Sequence, residues 1–99
     1  MFVVRDIFYC KPGQVRPMVQ KMQTIAGQAR KLGMGSMRVM TDVSAERFWT
    51  VVAEIEVESL ERFAEMSRKA ADSPEFQQAM KGYHDLVDYG RREIYTLEQ

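Results

Sequence analysis

The chain has 99 residues, 45% hydrophobic and 28% charged, with 14 basic residues balancing 14 acidic ones. That length accommodates one domain spanning 1–99, and the composition is that of a folded globular chain rather than a disordered one. Zero net charge supplies no field toward nucleic acid or an anionic membrane, and a lone Cys10 with a lone histidine excludes an intramolecular disulfide and a structural zinc site.

The N-terminus opens on Met1-Phe2-Val3-Val4-Arg5-Asp6, placing charge where a signal peptide needs an unbroken apolar stretch. No run approaches the roughly 18 apolar residues of a membrane span, so a cytoplasmic protein is expected. Residues 2–9 are rich in β-branched and aromatic types and end at the turn signal Lys11-Pro12-Gly13, which predicts a first strand. Val15, Met18, Val19, Met22, Ile25, Ala26, Ala29 and Leu32 then recur at spacings of three and four, and Gly33 and Gly35 stop the pattern. This predicts an amphipathic helix of about five turns, with Pro17 tolerated near its start.

Met37, Val39 and Thr41 alternate with Arg38, Met40 and Asp42, a short second strand before a polar turn. In residues 47–57 the odd positions Trp49, Val51, Ala53, Ile55 and Val57 are all apolar and the even ones mixed, predicting a third strand with one buried face. Ser59 is placed to cap a helix through Leu60, Phe63, Ala64, Ala70 and Ala71. Ser73-Pro74-Glu75 restarts a helix carrying Phe76, Ala79, Met80, Tyr83 and Val87, and Tyr89 to Leu97 closes the chain as a fourth strand.

The order β-α-β-β-α-α-β predicts an α+β, ferredoxin-like fold: a four-stranded antiparallel sheet with helices on one face. The other face is left bare, with Phe8, Phe48, Val52 and Met40 or their immediate neighbours on it. A patch of that kind exceeds what a monomer ordinarily exposes, and a second copy packed sheet to sheet by a twofold contact covers it. The expected partner is therefore the chain itself, as a homodimer.

Three segments in order resemble the dimeric α/β barrel superfamily, and within it the NIPSNAP-like branch: Tyr9-Cys10-Lys11-Pro12-Gly13, the Phe48–Glu56 strand, and the helix start Asp72-Ser73-Pro74-Glu75-Phe76. The resemblance covers nearly the whole chain and implies a ferredoxin-like protomer, a homodimer and a pocket between sheet and helices. It implies no single reaction, because the scaffold is shared by cofactor-independent monooxygenases, haem-degrading oxygenases, lactone isomerases and proteins without known activity. Haem-degrading members carry an Asn on the first strand, a Trp ending the third and a His on the following helix. Here the chain has no Asn, Trp49 opens the third strand, and Met80 stands where that His would fall. Haem degradation is set aside, and no cofactor is assigned.

His84 is the only side chain with an unperturbed pKa near neutrality, which suits a general base or a haem ligand. The plainer account is a half-buried histidine bonded to a carbonyl or water, with Asp88 the most reachable acid. Trp49 and Tyr83 are candidate pocket walls for a planar ligand, and Tyr9 a phenol able to bond a substrate oxygen, although core packing explains each as well. Arg5 and Arg38 interrupt apolar strands; with Glu54 and one of Arg91 or Arg92 they form either an ion-paired network or a site for an acidic ligand. Eight methionines make the apolar interior deformable.

The reading that joins these features is a homodimer binding a hydrophobic or planar small molecule. Within it the chain is a cofactor-independent monooxygenase or isomerase with His84 as base. The alternatives are a non-catalytic dimeric interaction protein and a haem-binding protein with His84 as ligand.

Overall fold

The computed structural model describes residues 1–98. Strands β1 (Phe2–Cys10), β2 (Met37–Thr41), β3 (Thr50–Val57) and β4 (Val87–Thr96) form one sheet in the order β2-β3-β1-β4. Every neighbouring pair is antiparallel. Helices α1 (Val15–Lys31), α2 (Leu60–Ala71) and α3 (Pro74–Met80) connect the strands, and a single 3-10 turn, Tyr83–Asp85, leads into β4. This is the α+β, ferredoxin-like arrangement that the pattern predicts.

The local chemistry accounts for the boundaries. The Ser59 hydroxyl accepts from the Arg62 amide at 3.2 Å and the Ser73 hydroxyl from the Phe76 amide at 3.4 Å, so both expected N-caps are formed. Pro74 occupies the first turn of α3, where its missing N–H costs nothing. Of the stripe its spacing predicts, α1 buries Met18, Val19, Met22, Ile25 and Ala29, and the first four of these pack against Cys10, Val51, Ala53 and Val87, while Leu32 at its end is exposed. A second cluster, Val4, Ile55 and Val57, packs with Met34 and Phe63 at the other end.

The odd positions Val51, Ala53, Ile55 and Val57 of β3 face the helices, as expected. Three details differ from the sequence reading. Strand β3 begins at Thr50, one residue after Trp49, because Trp49 has a left-handed backbone (φ 66°) that ends the strand geometry. Helix α3 stops at Met80, because Gly82 (φ 81°) turns the chain; Tyr83 and His84 sit on the short turn, and Val87 already belongs to β4. Phe8 faces the helices, packed on their core cluster, so its neighbour Ile7 lies on the bare face with Met40 and Val52. Phe48 lies in the connection between β2 and β3 and is 81% exposed. No helix among the described residues is long and apolar enough to cross a membrane.

Candidate functional site

Helix propensity and strand period together leave space between the two layers. A cavity of about 560 Å³ lies there, floored by Asp6 and Phe8 of β1, Ala53 of β3 and Gly90 and Arg92 of β4. Its walls are Met22 and Ile25 from α1, Phe63 and Ala70 from α2, and Phe76 and Met80 from α3, with Tyr83 and His84 beside them. Its volume is within the range of small-molecule sites, and its apolar walls around a few polar groups match their usual make-up.

The position of Phe8 on the cavity floor has an identifiable cause in β4. Gly90 pairs with Phe8 at a position that points to the helices, and it brings no side chain. A Cβ there would stand 3.0 Å from the Ile7 carbonyl oxygen and 3.2 Å from Phe8 Cδ1. The Phe8 ring lies in the freed volume and meets Tyr83 edge-on at 6.5 Å between centroids. The roof is thin, because α2 buries only Ala70.

Two polar features enter this apolar space. Asp6 and Arg92, on paired residues of β1 and β4, form a two-pronged ion pair: Arg92 Nε donates to Oδ1 at 2.6 Å and Nη2 to Oδ2 at 3.1 Å. The hydrogen bond to Asp6 raises the Arg92 pKa further above its ordinary value, outweighing burial. The Arg92 guanidinium also lies 5.5 Å from the Phe63 ring centroid. Gln28 of α1 donates its Nε2 to the Glu75 carbonyl at 3.1 Å, while its Oε1 is buried with no partner among the described residues.

Tyr83 and His84 are the two sequence candidates that the fold brings to the cavity. His84 is exposed and stacks on Tyr83, ring centroids 4.0 Å apart, and among the described residues no carboxylate bonds to it. Arg5, Arg38, Tyr9 and Trp49 lie elsewhere, outside the cavity lining. Trp49 is 46% exposed on the connection before β3, where its carbonyl accepts from the Cys10 amide at 2.8 Å. The expectation that it faces the helices fails because its left-handed backbone breaks the alternation.

Tyr9, Arg5 and Arg38 belong to the bare face of the sheet. Glu54, 4% exposed, accepts from Arg5 Nε at 2.8 Å and is paired also with Arg38, so the expected ion-paired network forms there. Burial alone would push the Glu54 carboxyl up, but hydrogen bonds from the two guanidiniums hold it below its ordinary value. Of the two alternatives for the remaining arginine, Arg91 stands opposite Ile7 and pairs with Glu93 at 2.9 Å, whereas Arg92 stands opposite Asp6 on the helix side and pairs with it. Tyr9 is buried under Arg47, whose guanidinium lies 4.7 Å from its ring centroid and 5.1 Å from that of Tyr89.

Sequence reasoning missed Asp6, Gln28 and Gly90 as cavity residues, and named Arg92 only as an alternative member of the Arg5–Arg38–Glu54 group. A charge inside an apolar strand and a glycine inside another were visible, but their meeting required the register of β1 on β4. The described residues contain no group of three or more His, Cys, Asp or Glu side chains able to hold a metal ion.

No family model and no curated protein matches this sequence. Solved structures do match its fold. A NIPSNAP family protein from Agrobacterium tumefaciens superposes with a TM-score of 0.83 at 19% identity, over 98% of this chain and 92% of that one. A NIPSNAP domain protein from Burkholderia xenovorans gives 0.79 at 16% identity, over 99% and 95% of the two chains. A protein from Nitrosomonas europaea, provisionally assigned as an antibiotic biosynthesis monooxygenase, gives 0.76 at 12% identity over 100% of both. The chain thus has the fold of NIPSNAP proteins, which it shares with that monooxygenase-type structure. Fold at this identity carries no reaction with it.

Proposed function

We propose that the chain is a cytoplasmic homodimer whose helix–sheet cavity binds a hydrophobic or planar small molecule. The observation that carries this reading is the 560 Å³ apolar space floored in part by Gly90 and Phe8 and walled by deformable methionines and aromatic rings. The bare sheet face supports the dimer: Met40, Tyr89 and Tyr95 are exposed around the Arg5–Glu54–Arg38 network on a surface that no helix of this chain covers. The test is a fluorescence titration with neutral 1-anilinonaphthalene. Saturable binding at one molecule per chain is expected, and binding that never saturates contradicts the reading.

A catalytic version follows from the position of His84 on the cavity lining next to Tyr83. The imidazole removes a proton from an electron-rich substrate, and the resulting carbanion either reprotonates elsewhere, an isomerisation, or itself reduces dioxygen. In the oxidation one oxygen atom ends in the product and the other in water, so the substrate is the reductant and no bound cofactor takes part. His84→Ala should then lower turnover of a bound substrate about 10²–10⁴-fold, the usual contribution of a positioned base. Turnover unchanged in that variant removes the catalytic version and leaves the binding one.

A further inference from the structure

The cavity lining contains opposite charges that cancel while the carboxylate keeps spare acceptor capacity, and together these define what kind of ligand it takes. We infer that the Asp6–Arg92 pair is a polar recognition group selecting uncharged apolar molecules that present a hydrogen-bond donor, and rejecting anions. This rests on the proposal that the cavity binds a small molecule.

The Asp6 carboxylate engages one edge of the Arg92 guanidinium through Nε and Nη2, at 2.6 and 3.1 Å. Phe63 lies against the cation, 5.5 Å from ring centroid to Cζ, so an ion and a ring both fix its position. The positive charge is thereby answered within the protein, and an anionic ligand would bring a second, unanswered charge into an apolar space. Each Asp6 oxygen retains a lone pair beyond the one Arg92 uses. A ligand N–H or O–H that bonds one of these lone pairs gains from the site what a purely apolar ligand cannot. Asp6 and Arg92 are thus specificity-determining groups, acting through the neutrality of their pair.

The test uses two probes with one ring skeleton, neutral 1-anilinonaphthalene and its 8-sulfonate, together with the N-methyl derivative of the neutral probe, which lacks the N–H. On the full chain at pH 7 the neutral probe is expected to bind at least tenfold more tightly than both its sulfonate and its N-methyl derivative. Asp6→Asn leaves Arg92 without its counter-charge, so the sulfonate should gain at least tenfold in that variant relative to the neutral probe. Equal affinity of the neutral probe and its N-methyl derivative, or an unchanged sulfonate-to-neutral ratio in Asp6→Asn, overturns the inference while leaving a ligand cavity in place. Failure of every probe to bind overturns both. If Asp6→Asn does not fold, Arg92→Gln reads the same balance from the other side: it leaves Asp6 unanswered and should weaken the sulfonate at least tenfold further against the neutral probe.

Discussion

Glu54 is held between two guanidiniums while almost out of contact with solvent, and its energetics are set by that arrangement. Its carboxyl titrates below the ordinary value of 4.5, because the bonds from Arg5 and Arg38 outweigh the opposing effect of burial. A lowered folded-state pKa means that the stabilisation is complete above the unfolded value and is lost as the pH falls through the folded one. Glu54→Gln is therefore expected to cost about 1–2 kcal/mol at pH 7, in the range of charge-assisted hydrogen bonds lost from partners that water can still reach. In urea denaturation the gap between the two proteins should close as the pH is lowered below 4.5. A gap that persists unchanged in acid would contradict this account. The network was legible in the sequence, since charges interrupting apolar strands need partners. Asp6 was legible as an anomaly only: which of Arg5 and Asp6 faces the helices depends on strand parity, and the apolar residues at Val3, Val4, Ile7 and Phe8 fit either choice.

Among the elements, α1, α2 and β2 follow from spacing and capping signals alone, with Ser59 and Ser73 marking two helix starts. The failures occur where one backbone conformation overrides a pattern. Trp49 continues the odd-position apolar series of β3, yet its left-handed backbone takes it out of the strand. Since Trp49 is half exposed, Trp49→Gly should leave stability unchanged or raise it by up to about 1 kcal/mol, the order of the left-handed penalty for a non-glycine residue. A thermal-melt loss of roughly 3–5 kcal/mol, as for a core tryptophan, would contradict this placement. Gly90 makes the opposite case, a small residue whose absence of side chain shapes the site. Gly90→Ala places a methyl group 3.0 Å from the Ile7 carbonyl and 3.2 Å from Phe8, so a loss of about 1–3 kcal/mol is expected from overpacking. The same variant should weaken 1-anilinonaphthalene binding in a fluorescence titration, because Phe8 is pushed into the cavity it lines. His84 shows why a helical spacing can mislead: Phe76, Ala79, Met80 and Tyr83 keep the period across Gly82, where the helix has already ended.

At the scale of the whole molecule, one sheet separates two different surfaces. The helix side encloses the cavity, and the bare side carries Ile7, Val52 and the Glu54 network in a plane that a second copy can cover. Val52→Glu sets a carboxylate beside Glu54 on that face, so sedimentation should shift from twice the chain mass to once, with the far-ultraviolet dichroism unchanged. A parent chain that sediments as a monomer contradicts the dimer. The two-layer architecture was readable from element order, whereas the cavity was not, because its floor is set by long-range pairings such as that of Phe8 with Gly90. The methionines offer the most direct test of the central claim that this cavity is a ligand site. Met22, Met34, Met37 and Met80 line it, while Met40 lies on the bare face and Met66 lines a separate groove between α2 and Leu32 at the end of α1. In a methionine-methyl NMR titration with 1-anilinonaphthalene, the account predicts saturating shifts of the four lining methyls, with Met40 and Met66 stationary. Shifts confined to Met40 and Met66, or none at all, would contradict it.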